Sequence, residues 1–327
     1  MFCLSQKSLY VEALDLWIDS LRSQQRCYVS HGHSDHAREH RTLVTTPNTA
    51  RICRARFARR AERPPVAFEE HAFNEPWMER GHRLTLFSAG HVLGSAQLMI
   101  EGEAGRFVYT GDFKLRESLT VEPPEVKRCD VVLMECTYGR PHYVFPPHEE
   151  VAAQMIAFAR ETLEGDAVPV FFAYTLGKAQ EAMAILGGDG LALTVHSTVD
   201  MLAQVYAACE VTLPPYARFD AQSFDTRSVL IWPPGGKALP KALRNKPVRT
   251  AVLTGWSLDR GALFRYGTER GFALSDHADY PALLQYVERA QPRKVLLNHG
   301  WRDFVYRLRA LGVDAEYMED HAQLSLF

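Results

Sequence analysis

The chain has 327 residues, 46% hydrophobic and 23% charged, which suits one large domain or two smaller ones around a sizeable core. A net charge of −2 excludes a global basic field, so any nucleic-acid contact must come from local clusters and from metal ions. The scattered cysteines (Cys3, Cys27, Cys53, Cys129, Cys136 and Cys209) include no C-x-x-C pair, and no apolar run has signal or membrane-span character, so the expected setting is a reducing cytoplasm with no membrane partner.

Residues 9–19 read as paired strands, the second ending at Asp19. Residues 26–29 read as a short buried strand that runs into Ser30-His31-Gly32-His33-Ser34-Asp35-His36. In extended backbone, residues two apart face the same way, so His31 and His33 can grip one ion together. Asp35 and His36, opening a helix after a change of direction, can face a second. Imidazole and carboxylate donors in this grouping suit Zn²⁺. A merely His-rich surface loop is the bland alternative, and the dense spacing directly after a strand weighs against it.

Residues 48–63 read as a helix carrying Arg51, Arg54, Arg56, Arg59, Arg60 and Arg63. Such a run is either a solvated face or a phosphate track. Residues 83–88 alternate as a strand. They lead into Ala89-Gly90-His91-Val92-Leu93-Gly94-Ser95-Ala96, where glycines permit a tight loop with His91 at its tip. Strands at 97–100 and 106–110 follow, and the second ends in Gly111-Asp112. Lys114 and Arg116 come next and are candidates for phosphate contact. Residues 131–135 form an apolar strand that closes on Glu135, before Cys136-Thr137-Tyr138-Gly139.

From 148 to 266, helices and strands alternate, which predicts a mostly parallel sheet with helices on both faces. Gly177-Lys178 is not a P-loop, because Phe172 stands where the first glycine is needed. A helix N-terminus beside Lys178 can still bind phosphate. A helix over 281–290 and a strand over 294–297 then deliver His299.

The histidine run resembles the signature of the metallo-β-lactamase fold. That resemblance implies an α/β αββα sandwich with metals held at one edge of its two sheets. Glu135 before Thr-Tyr-Gly, Ser275-Asp276-His277-Ala278-Asp279-Tyr280 and Leu297-Asn298-His299-Gly300 resemble the three added motifs of the β-CASP branch. This branch includes the pre-mRNA cleavage endonuclease, RNase J, and the Artemis and crosslink-repair nucleases. The implied domains are a metallo-β-lactamase domain over 1–147 and 267–327 and an inserted β-CASP α/β domain over 148–266.

Carried over residue by residue, the resemblance implies two divalent ions, zinc or manganese. His31, His33 and His91 would hold one, Asp35, His36 and His299 the other, with Asp112 bridging. His277 would be the general acid, oriented by Glu135, and Asp35 would belong to the catalytic set. Asp19 would support the ligands, with Asp15 as the alternative. Lys114, Arg116 and Lys178 are the phosphate candidates.

Small-molecule hydrolases of this fold lack the insertion and the Glu135/His277 pair. Non-catalytic members of the branch lose ligands that are present here. His at 299 is the pattern of the RNA-processing members. Ala-Gly-His-Val-Leu-Gly-Ser-Ala, Tyr-Thr-Gly-Asp-Phe-Lys and Leu-Ser-Asp-His-Ala-Asp are instead similar to the bacterial ligase-associated DNA exonucleases, which travel with a DNA ligase and a helicase. The chain departs from that group at Ile18-Asp19-Ser20, where proline usually follows the aspartate. The expectation is a two-metal exonuclease acting on single-stranded DNA in repair, with an RNA-processing nuclease as runner-up.

Overall fold

A computed structural model describes residues 2–5, 8–58, 65–234 and 239–318. Arg59, Arg60 and Arg63 of the expected arginine run lie outside the described residues. The chain divides into two compact units, Met1–Tyr143 with His277–Phe327, and Val144–Asp276.

The first unit is built on two sheets. One has six strands, in the order Phe2–Ser5, Ser8–Val11, Leu16–Ile18, Arg26–Tyr28, Thr42–Thr45 and Ala67–Glu70. The other has seven, in the order Asp314–Tyr317, Lys294–Gly300, Val131–Cys136, Gly105–Tyr109, Ala96–Gly102, His82–Ser88 and Trp77–Glu79. Side-chain alternation decides what each face meets. Val131 and Leu133 point inward, into one apolar layer with Leu16, Ile18, Tyr28 and Val44 of the other sheet. Val132 and Met134 point outward, onto Leu283, Tyr286 and Phe304 of helices Tyr280–Ala290 and Asp303–Ala310. Cys27 and Leu43 face outward on the other side, where Cys53 of helix Pro47–Phe57 covers them. Thr46 caps that helix by accepting the Thr49 N–H at 3.2 Å, and Pro47 opens its first turn. The result is the αββα sandwich. Each fully buried aliphatic or aromatic side chain in these layers contributes about 1.5–3 kcal/mol of transfer free energy.

The second unit holds a six-stranded sheet, parallel throughout, in the order Ala217–Arg218, Leu193–Val195, Val229–Trp232, Val168–Phe172, Val248–Leu253 and Arg270–Phe272. Its helices cover the two faces unequally: the three long ones share one face, and the short helix Ala262–Tyr266 lies against the other, where Leu263 sits over Gly271. Helices His148–Glu164, Lys178–Gly188 and Ser197–Ala208 all pack on one face, where Met155, Ala182 and Val199 meet Phe171, Ile231 and Ala251. The other face, with Val170, Leu230 and Trp232, is covered by Phe219, Phe224 and Leu243. Crossover handedness explains this. Parallel connections are right-handed, so the face they cover depends on the direction in which the chain moves across the sheet. From Val168–Phe172 the chain steps out through Leu193–Val195 to Ala217–Arg218 by way of helices. It then reverses, and the return connections lie on the opposite face. Among their described residues, the connections as far as Val248–Leu253 carry loops and the 3-10 turn Lys241–Leu243, and the last one, to Arg270–Phe272, carries the 3-10 turn Gly255–Leu258 and the short helix Ala262–Tyr266. No described helix is long and apolar enough to cross a membrane.

His40, beside strand Thr42–Thr45, is buried, and its Nδ1 accepts the Gln24 N–H at 3.1 Å. Its Nε2 has no protein partner, and burial pushes the ring down to about 4. The native state therefore favours neutral imidazole. This contribution to stability is fully present above about pH 6.5 and is lost as pH falls toward 4. Urea midpoints should drop between pH 7 and pH 5 by at most about 1.4 kcal/mol per pH unit from this ring, less where solvent reaches it. In His40→Gln the drop should be shallower; an equal drop would mean the ring does not titrate in that window.

Candidate metal centre

Strands Gly105–Tyr109, Val131–Cys136 and Lys294–Gly300 pair in parallel, and so do Leu16–Ile18, Arg26–Tyr28 and Thr42–Thr45. Their carboxyl ends therefore line up within each sheet. Asp19, the run from Ser30 to His36, Asp112, Glu135 and His299 all stand at or just beyond those ends. The two sheets are tied together there. The Ala96 N–H donates to the Ser30 carbonyl at 2.9 Å, and the Tyr28 hydroxyl donates to the Ala96 carbonyl at 2.8 Å. Gly111, at φ 55°, lies so close to the run that an added Cβ would stand 2.8 Å from Ser30 Cβ. Glycine is what lets Asp112 approach the histidines.

The expected helix at Asp35 is a turn instead. The His36 and Ala37 N–H groups both donate to the His33 carbonyl, at 3.1 and 2.7 Å. This reversal brings the His36 ring to 4.2 Å from that of His31, while His33 stands 5.0 Å from His31 and perpendicular to it. His91 arrives from a loop whose tip is folded by Ser95, which accepts the N–H groups of His91 and Val92 at 3.0 and 3.2 Å. Its ring lies 4.6 Å from His31 and 5.0 Å from His33.

Three groups have ligand atoms mutually within 4.8 Å: His31 with His33 and His91, His31 with His36 and Asp112, and His91 with Asp112 and His277. Asp112 is common to two of them. Its Oδ2 lies 3.3 Å from His36 Nε2, 3.7 Å from His31 Nε2 and 3.9 Å from His91 Nε2. Asp35 is exposed and stands outside all three groups. His299 also stands outside them, half exposed, with Nδ1 4.0 Å from Asp112 Oδ1.

The chemistry of this donor set fits divalent cations. His31 is wholly buried, its Nδ1 lies 3.0 Å from Ser30 Oγ, and its Nε2 has no protein partner. Burial, with His36 and His91 nearby, holds it well below its ordinary value, so a neutral nitrogen faces the cluster. Leaving such an atom unsatisfied costs about 1–3 kcal/mol, which a cation would relieve. Burial also pushes His36 down, but Asp112 and Asp19 outweigh it and hold the ring well above 6.5. Burial raises Asp112, and His36 and His277 outweigh that to keep it well below the usual carboxylate range. Nitrogen and oxygen donors in this mixture suit zinc or its neighbours.

Of the two aspartates, Asp19 is the one against the cluster. Its Oδ1 accepts the Ser30 N–H at 2.8 Å, and its Oδ2 meets Ser30 Oγ at 2.5 Å, His36 Nδ1 at 2.7 Å and the Tyr109 hydroxyl at 2.8 Å. Bonds of this kind orient a histidine and set which nitrogen is free. Asp15 is exposed and accepts from Tyr10 instead. Tyr109 is a residue that sequence reasoning missed. The available signal was a tyrosine in a strand position facing the inner layer, where its hydroxyl needs a buried partner.

Glu135 is buried and grips His277, with Nδ1 at 2.9 and 3.0 Å from its two oxygens. The Phe113 N–H holds the same carboxylate at 2.9 Å. The His277 ring lies 4.7 Å from that of His91. The phosphate candidates are placed differently from one another. Lys114 is buried just after Asp112. Arg116 donates to Asp279 Oδ2 at 3.1 Å. Lys178 is buried in the second unit with Nζ 2.7 Å from Asp276 Oδ2. A buried ammonium needs its counter-charge, so this lysine is not free for the phosphate contact expected of it. Within the arginine helix, Arg54 pairs with Glu70 and Arg56 donates to the Gly32 carbonyl. Those two side chains brace the structure rather than forming an open track.

Residues 270–322 match a family described as the Zn-dependent metallo-hydrolase RNA specificity domain. Over 322 residues, 97% of this chain, it is 40% identical to a protein of Opitutus terrae named probable DNA ligase, of which it covers 31%. It is 24% identical over 283 residues, 70% of the chain, to an RNase J-like protein of Methanocaldococcus jannaschii, covering 66% of that protein. The chain belongs to the β-CASP branch of the metallo-β-lactamase fold. It spans about a third of the first relative and just under two thirds of the second. A crystal structure of a protein of unknown function from Enterococcus faecalis shares the fold, with a TM-score of 0.63 at 13% identity over 91% of this chain and 80% of that one.

The third added motif of this branch, Asn298-His299-Gly300, has a local explanation here. Glu135 pairs with Asn298 and Cys136 with Gly300, so His299 is the extra residue of a β-bulge, at φ 47°. A bulge re-aims a side chain, here toward Asp112. Gly300, at φ 140°, would place a Cβ 2.0 Å from the Cys136 carbonyl oxygen. Gly300→Ala should therefore lower both metal content and stability, the latter by more than about 1 kcal/mol. Gly312→Ala, at φ 80° with open space around it, is the matched control for left-handed backbone alone. Equal losses of stability and unchanged metal content in both variants would rule out the bulge as the device that presents His299.

Proposed function

We propose that the chain is a metal-dependent nuclease that removes nucleotides from the end of single-stranded DNA during repair. The observation that carries the hydrolytic reading is the buried histidine and aspartate cluster with the Glu135–His277 pair beside it. In this reading His31, His33 and His91 hold one divalent ion. Asp35, His36 and His299 would hold the other, and Asp112 would serve both. Two such ions supply Lewis acidity that activates water and offsets charge on a phosphodiester.

The protein's own groups do the rest. Asp19 fixes the His36 ring and keeps its Nε2 toward the site. Glu135 accepts from His277 Nδ1, which favours the protonated ring and aims Nε2 outward as a proton donor to the leaving oxygen. Lys114 is the remaining candidate for phosphate contact. The relative named probable DNA ligase matches along nearly the whole of this chain, which supports DNA as substrate and a DNA ligase as partner. A helicase partner rests on family resemblance. The RNA specificity domain at 270–322 and the RNase J-like relative favour a second reading, an RNA-processing nuclease on the same chemistry. Matched single-stranded DNA and RNA, labelled at either end, decide between them. Processive loss of label from DNA alone is the expected result, and faster cleavage of RNA would overturn it.

Elemental analysis of the purified protein should give about two divalent ions per chain. A value near zero, with activity retained in strong chelator, would exclude the metal reading. His277→Ala should keep both ions and lose about 10²–10⁴ in turnover on DNA. The loss should shrink on a nitrophenyl phosphodiester, whose leaving group needs no proton. Loss of an ion in this variant would make His277 a ligand, as its grouping with His91 and Asp112 permits.

A further inference from the structure

The general acid of the proposed reaction sits within ligand distance of the metal cluster. Its nitrogen is grouped with His91 and Asp112 inside 4.8 Å. A histidine in that position serves as acid only if something fixes the ring against the cluster and toward the leaving group. Glu135 holds one nitrogen, but a side chain is no better placed than its backbone. The backbone here is a loop, Ser275 to Asp279, ahead of helix Tyr280–Ala290.

Asp279 is buried and uses both carboxylate oxygens. Oδ1 accepts the Ala282 N–H at 3.0 Å and caps the helix. Oδ2 accepts from Arg116 Nη2 at 3.1 Å. Arg116 belongs to the segment that leaves Asp112. That segment grips the loop once more and also holds the carboxylate that His277 meets. The Phe113 carbonyl accepts the Ala278 N–H at 2.7 Å, and the Phe113 N–H donates to Glu135 Oε1 at 2.9 Å. One stretch, Asp112 to Arg116, thus carries the central carboxylate of the cluster and bonds to the two residues that follow His277 and to its partner Glu135.

We propose that Arg116 is a positioning residue. Through Asp279 it sets the spacing between His277 and Asp112, so that His277 works as a proton donor. This rests on the assignment of His277 as general acid. It replaces the phosphate contact expected of Arg116 from sequence.

The test uses the metal-loaded full chain and the variants Arg116→Met, Arg116→Lys and His277→Ala. Each is assayed on single-stranded DNA and on a nitrophenyl phosphodiester. Arg116→Met should lose about 10–100-fold in kcat on DNA with KM nearly unchanged, a fraction of the about 10²–10⁴ expected for His277→Ala. Its loss should shrink on the activated substrate. Arg116→Lys should recover part of the rate, and adding Arg116→Met to His277→Ala should cost little more. A raised KM with a salt dependence flattened by about one charge would instead make Arg116 a phosphate contact and overturn the proposal. Equal losses on both substrates would also overturn it, since a general structural defect ignores the leaving group. If Arg116→Met unfolds, Asp279→Asn, which keeps the shape and an acceptor oxygen for the cap, gives the same comparison. If His277→Ala itself shows no dependence on the leaving group, the acid assignment fails first, and that outcome is distinct from the failure of Arg116.

Discussion

Burial of Asp112 among imidazoles is the constraint on which the rest of this structure depends. A carboxylate and several histidine rings are gathered at one edge of a sandwich, largely out of water. Like groups in that position repel or desolvate one another unless each has a defined charge state and a defined partner. Burial lowers the pKa of His31; against the effect of burial, Asp112 and Asp19 raise that of His36, and His36 and His277 lower that of Asp112. Such a cluster contributes little to folding by itself. It is tolerated because the apolar layer between the sheets and the two outer helix layers surround it with stable packing.

The supporting contacts serve this cluster from both sheets. Asp19, which follows a strand of the first sheet, reaches Tyr109 in the second, so the carboxylate that orients His36 also ties the layers together at the edge. The Ser30 carbonyl and the Tyr28 hydroxyl make two further ties, both to Ala96. An edge held this way can present rings with little reorganisation when a cation binds, which is the property a metal centre needs. Asp35 and His299 are the loosest members. Both are exposed, and His299 sits on a bulge in left-handed backbone.

His277 occupies a position that two kinds of chemistry compete for. Its distance to His91 and Asp112 suits a ligand, while its bonds to Glu135 suit a proton donor. The stretch after Asp112 bonds to Glu135 and to the two residues that follow His277, through Phe113 and Arg116.

The sequence alone determined the order of motifs and most strands, and it singled out the histidines and the aspartate at 112 that gather at the sheet edge. These are local properties: H-x-H-x-D-H follows a strand, glycines flank His91, and alternation marks the inner and outer faces of residues 131–134. Tertiary structure decided what depends on partners distant in the chain. Asp35 and His36 form a turn because the His33 carbonyl takes both N–H groups. Which aspartate supports the site is decided by Tyr109, ninety residues downstream of Asp19. The cations at 116 and 178 looked alike in sequence as phosphate binders, yet each is committed to an aspartate more than ninety residues away. The placing of all three long helices of the second unit on one face goes with the order of strands in its sheet, and no window of sequence contains that order. Charge pairing, crossover direction and bulge register are all set by long-range neighbours, and there the local reading stops.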